Sequence, residues 1–259
     1  MRFLVDPAQV HLDAIGWLFL GVICVLLPLG AVRQHRRMAA GTLRPTRMAI
    51  YASAVVTHTA FVLMVLLVVR SERLDLFPAY RLTTLHALVG LAALAIGLLP
   101  VFERFRIDDP FARERVRLIA PRTPADFGFF YLVAVTAGVA EELTYRGLLF
   151  TLLAALTRSW WLAAIVAASV FGIAHLFQGW KSAGLAALMG LRDQIVVGFT
   201  GTLFVAIVVH TLHDVITGTI VGVRASVEEA ANGTGKNGNL PGAAGAEYVT
   251  RAEGAAENG

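Results

Sequence analysis

Cysteine is almost missing from this 259-residue chain, with Cys24 the only one. A single thiol allows no internal disulfide and no thiolate metal cluster. Set inside an apolar run, it reads as a small buried hydrophobe. Charge is scarce too: Asp, Glu, Lys and Arg make up 15% of the residues, against about a quarter in an average soluble domain. That depletion argues against a water-soluble globule. The start, MRFLVDPAQVHLDAIG, lacks a basic cluster leading into a short apolar core with a small-residue cleavage site, so no secretory signal peptide is expected. No internal repeat is visible.

What fills the chain instead is apolar sequence, 57% of it. Uncharged windows at 14–32, 48–69, 82–102 and 159–180 each approach the ~20 residues that a helix needs to cross a hydrocarbon core. The fold class they predict is all-α, a polytopic transmembrane bundle of six to eight spans embedded in lipid. The net charge of +4 does not mark a nucleic-acid binder, because the basic residues cluster in loops between spans. One loop holds Arg33, Arg36, Arg37, Arg44 and Arg47, and another runs from Arg104 to Arg122. Cytoplasmic loops are marked in this way, so the mixed-sign RSERLDLFPAYR between them faces outward, and the N-terminus with it.

Three regions follow. Residues 1–126 hold three membrane helices and an amphiphilic cytoplasmic loop, in which FARERVRLIA suits an interfacial helix. Residues 127–223 form a membrane core, and residues 224–259, rich in Gly, Ala and Asn, form a disordered tail. Within the core, the fourth helix begins near Phe127 and continues to Leu156. The fifth is SWWLAAIVAASVFGIAHLFQGW, with Trp160, Trp161 and Trp180 at its ends as an aromatic belt. SAGLAALMGL is too short to span and suits a half-membrane or re-entrant helix. The 30-residue run at 194–223 reads as one tilted helix, or as a helix, a break and a short last helix.

Charged groups at membrane depth are costly and mark function by default. Three clusters qualify. In GVAEELTYRGLLF, Glu142 and Arg146 are four apart with the acid first, so they pair on one helix face. Glu141 lies about 100° away around the helix and has no partner within it, the condition for tuning a carboxylate into a general base. In FGIAHLFQG, Phe171 and His175 share a face. In HTLHD, His210 and Asp214 do so again, with His213 beside them. His58 and His86 have no acidic partner at helical spacing and read as packing residues, and His35 in the basic loop reads as solvated. Glu, His, His and Asp on three consecutive spans form a set able to activate water, with or without a metal.

In this order, E-E-x-x-x-R, F-x-x-x-H and H-x-x-x-N/D on successive helices resemble the signature of the CPBP family, the CAAX proteases and bacteriocin-processing enzymes. The flanks RGLL and HLFQG agree, and the similarity spans roughly 126–222. The resemblance implies an intramembrane endopeptidase acting on a peptide or membrane-protein substrate. In that pattern Glu141 activates the hydrolytic water with help from His175, while His210 and the side chain at Asp214 stabilise the oxyanion. Glu142, Arg146 and Phe171 shape the site. Asp214 departs from the Asn typical of CAAX-processing members, and an ionised Asp cannot donate to an oxyanion. It is therefore protonated, or orients His210, or belongs to a metal site; bacterial members often carry Asp there.

The family has been described both as metalloproteases and as glutamate-type proteases. Metal-free water activation is the favoured reading. If zinc is the cofactor, Glu141, His175 and His210 are the three ligands that a catalytic site needs. The expected location is a bacterial plasma membrane. Two rival classes are a non-catalytic scaffold or bacteriocin-immunity protein, and a transporter with a proton relay. Confinement of the polar groups to the C-terminal half disfavours the transporter, which should show two matching halves.

Overall fold

The computed structural model describes residues 1–78, 80–103 and 117–231. Among these residues there is no strand, and seven long helices carry the chain. They are α1 (Ala14–Ala39), α2 (Arg47–Glu72), α3 (Thr84–Glu103), α4 (Pro124–Thr157), α5 (Trp160–Ala174), α6 (Trp180–Thr200) and α7 (Leu203–Ala231). Met1–Val223 is one compact unit and Arg224–Gly259 another, of which the described part is the helical end of α7. Most of the interfacial helix expected at FARERVRLIA, and most of the tail, lie outside the described residues.

Four of the helices, α1, α2, α4 and α7 (as far as Val227), are long and apolar enough to cross a membrane. The apolar stretches of α3 and α5 are shorter. Where six to eight spans are expected, the described residues thus hold four helices of spanning length and two shorter apolar ones. Their outer faces carry large apolar side chains: Leu18, Leu63 and Leu99 are each more than 60% exposed. Water would not tolerate such a girdle, whereas lipid requires one.

Caps and loop contacts fix the order of packing. Asp13 caps α1 by accepting from the amides of Ile15 and Gly16, and it also accepts from the Ser71 hydroxyl at the end of α2. Those bonds, the Ser71 one foremost, hold the Asp13 carboxyl below its ordinary value. Glu72 accepts from the amides of His11 and Asp13, so α1 begins where α2 ends. At the opposite end, Thr123 and Asp126 form a capping box at the start of α4, with Pro124 in the first turn. Arg47 donates to Asp126 at 2.8 Å. The helices α2 and α4 therefore start on the same side and run parallel. His35, expected to be solvated, instead packs edge-on against Trp180 and donates from Nδ1 to the Leu176 carbonyl at 2.9 Å.

The chain departs from expectation most clearly after α5. The fifth helix stops at Ala174, not near Trp180. His175 leaves the helical region, a short 3₁₀ turn follows at Leu176–Gln178, and Gly179 turns the chain at φ +100°. That left-handed backbone suits glycine alone, and it reverses direction so that α6 packs back on α5. The two helices meet closely: a Cβ at Gly172 would lie 2.6 Å from the Ala183 carbonyl oxygen. Such small-residue contacts let backbones approach where lipid supplies no hydrophobic drive. SAGLAALMGL forms the first half of the 21-residue α6, a longer helix than its apolar run predicts. The run at 194–223 is split at Gly201 and Thr202 between α6 and α7.

Candidate active site

The polar cluster is built around α4. From Glu142 to Leu149 this helix widens into a π-type turn, within which all eight residues are buried. Such wide turns recur at functional positions. Here the wide turn carries the pair expected from the sequence: Arg146 Nη1 lies 3.2 Å from Glu142 Oε1, with both side chains at most 2% exposed. A second carboxylate meets the same guanidinium, since Asp193 Oδ2 on α6 is 3.6 Å from Arg146 Nη2. Arg192 in turn lies 2.7 Å from Asp193 Oδ1. Phe171 of α5 places its ring face 4.2 Å from the Arg146 guanidinium carbon, a cation–π contact that desolvation strengthens. Gly190 makes room for all this, because a Cβ there would come within 3.0 Å of Phe171 and 3.2 Å of Arg146.

Next to this buried network sits Glu141, near the middle of the 34-residue α4. Its two oxygens face different helices. Oε1 is 3.5 Å from His58 Nε2 on α2, and Oε2 is 3.6 Å from His210 Nε2 on α7. His210 also binds Glu142 through Nδ1 at 2.7 Å, and its Nε2 lies 3.5 Å from Asp214 Oδ2. Asp214 contacts His213 Nδ1 at 3.2 Å, while His213 Nε2 donates to the Gly97 carbonyl at 3.1 Å. His175 stands at the frayed end of α5 and donates from Nδ1 to the Phe171 carbonyl at 2.9 Å, which leaves its Nε2 without a proton unless the ring is charged. Its ring is 4.5 Å from that of Phe171, which on another side faces His210 at 6.2 Å.

The structure thus brings Glu141, Glu142, Arg146, Phe171, His175, His210 and Asp214 into one neighbourhood. Reading the sequence missed three members. His58, expected to serve packing for want of an acid at helical spacing, meets its acid, Glu141, from another helix. Arg192 and Asp193 close a short apolar run, and the signal for them is a charged pair inside LMGLRDQIVV. Four carboxylates (Glu141, Glu142, Asp193 and Asp214) face two guanidiniums, so neutrality calls for two protons shared among the acids and imidazoles.

Two donor sets bear on a metal. Among the described residues, ligand atoms of Glu142, Asp193 and His210 lie within 4.8 Å of one another. The Arg146 guanidinium already bridges both of those carboxylates, so a divalent cation there would have to displace a buried positive charge. That set does not fit. The set expected from the sequence, Glu141, His175 and His210, fits zinc in donor chemistry, since both imidazoles have Nδ1 engaged and Nε2 available, the usual arrangement of ligating histidines.

Residues 123–216 match the family model described as Rce1-like: Type II CAAX prenyl endopeptidase Rce1-like. No curated protein and no solved structure matches the chain. The matched stretch holds the whole cluster except His58 on α2.

Proposed function

We propose that this chain, an integral membrane protein that belongs to the Rce1-like family over residues 123–216, is an intramembrane endopeptidase of a bacterial plasma membrane. The observation that carries the reading is the meeting of Glu141 with His210 at 3.6 Å across α4 and α7, within the stretch that the family model covers. A carboxylate and an imidazole from separate helices, with a second imidazole at the open end of α5, are what hydrolysis needs at one point in space.

In this mechanism Glu141 accepts a proton from water as the water oxygen attacks the carbonyl carbon of the scissile bond. His175, through its free Nε2, orients that water. His210 commits Nδ1–H to Glu142, so it donates to the tetrahedral oxyanion from Nε2 as an imidazolium, whose charge the flanking Glu141 and Asp214 balance. Asp214, placed between His210 and His213, orients His210 and is not itself a donor. The C–N bond then breaks and protonated Glu141 returns its proton to the leaving amine. Glu142, Arg146, Asp193 and Phe171 hold His210 and the wide turn in place. A zinc ion on Glu141, His175 and His210 would add Lewis acidity toward the same water; the proton transfers between Glu141, water and the leaving amine proceed without one.

The test uses the purified full-length chain in liposomes with an internally quenched peptide bearing a farnesylated CAAX-type C-terminus. The expected outcome is product masses showing cleavage beyond the lipidated cysteine, unchanged by chelator. An inactive wild type supports the scaffold class instead. Cleavage lost with chelator and restored by stoichiometric zinc overturns the metal-free mechanism and leaves the site standing.

A further inference from the structure

We infer that His58, on α2 and outside the stretch matched by the family, is a positioning residue for Glu141. The inference rests on the endopeptidase reading and adds α2 to the helices of the site. His58 is buried, at 7% exposure, and both of its ring nitrogens point at α4. Nδ1 lies 2.9 Å from the Thr136 hydroxyl, and Nε2 lies 3.5 Å from Glu141 Oε1.

The surrounding hydrogen bonds fix the tautomer. Thr136 donates its hydroxyl proton to the Val133 carbonyl at 3.0 Å, so toward His58 it can only accept. His58 must then donate from Nδ1, and the ring is locked in one orientation with Nε2 facing the acid. With Nδ1 committed to Thr136, Nε2 is the ring atom left to meet Glu141 Oε1. A histidine that served packing alone would need only the Thr136 bond.

The consequence concerns geometry. Glu141 has one oxygen held from α2 by His58 and the other approached from α7 by His210. Held from two sides, the carboxylate cannot swing freely, and its remaining lone pairs stay aimed at one water position. Around His58 the facing groups are Thr136 and Glu141 from α4, with His210 of α7 and His175 beyond α5 acting on the same carboxylate. Removing His58 frees one oxygen of Glu141 and lets the base drift, and misplacement by about 1 Å can cost about 10² in rate.

The experiment compares wild type, His58→Leu, His58→Gln and Thr136→Val as full-length chains in liposomes with the farnesylated quenched peptide. His58→Leu should lower kcat by about 10² with KM unchanged. His58→Gln, whose amide N–H can reach Glu141, should recover most of that loss. Thr136→Val keeps His58 but frees its ring, and should fall between wild type and His58→Leu. Wild-type kcat in His58→Leu overturns the inference, as does a kcat loss in His58→Gln that matches a shared drop in melting temperature. A second arm needs no substrate: in ¹⁵N-histidine spectra, Glu141→Gln should move the His58 ring resonances. If wild type cleaves nothing, the endopeptidase reading fails by itself, and the spectra decide whether His58 engages Glu141; unmoved resonances overturn the inference.

Discussion

Glu141→Gln should lower peptide cleavage by about 10²–10⁴-fold, the usual worth of a positioned general base, while leaving the melting temperature close to wild type. The amide has nearly the same shape as the carboxylate. It can accept from one flanking imidazole and donate to the other, so the contacts to His58 and His210 persist in altered form. What it cannot do is take a proton from water. Nothing in the buried ion network is removed, because Glu142, Arg146 and Asp193 pair among themselves. Initial cleavage rates of the quenched peptide, paired with melts in the same detergent, read both halves of the expectation. A variant that is inactive because it is unfolded would contradict the second half.

Arg146→Ala should act through stability. Its guanidinium holds two carboxylates, and Glu142 and Asp193 are at most 2% exposed. Removing the cation leaves buried Glu142 without its guanidinium and Asp193 with Arg192 alone, and breaking even one buried pair costs roughly 3–5 kcal/mol. The Phe171 ring also loses its cation, and an unfilled volume opens beside Gly190. Such a loss is a large share of the 5–15 kcal/mol or so that holds a typical fold together, so the expected result is poor yield and a much lower melting temperature. Arg146→Lys should rescue little, because a single ammonium cannot span Glu142 and Asp193 as a planar fork can. Thermal melts of the three proteins measure the effect, and normal melting of Arg146→Ala would show that the network does not hold the fold.

The parts of the site that could be read from the sequence were those carried by local spacing. Glu142 and Arg146, Phe171 and His175, and His210 and Asp214 are each four apart, and helical geometry alone puts the members of each pair side by side. Helix positions were also legible up to Thr157, because uncharged windows of membrane length are hard to mistake. The start of α4 could have been placed three residues earlier, since TPAD is a capping box with proline at its first helical position. After α5 the apolar composition continues through the 3₁₀ turn, and only Gly179 signals that the helix has ended. Hydropathy alone therefore joined α5 to the turn and cut α6 at its charged pair. His58 left no local trace at all. Its meaning depends on α2 running beside α4, a tertiary fact that no spacing within a helix encodes.

The central claim is that two adjacent glutamates divide the work, Glu142 holding the fold and Glu141 handling the proton. The most direct measurement sets Glu142→Gln beside Glu141→Gln, with melting temperature and peptide cleavage read on the same preparations. Glu142→Gln is expected to melt well below wild type, because it removes the charge that pairs with Arg146 at 3.2 Å and holds His210 at 2.7 Å. Glu141→Gln is expected to melt normally and not to cleave. A Glu142→Gln protein that melts like wild type but is inactive, beside a Glu141→Gln protein that still cleaves, would contradict that division.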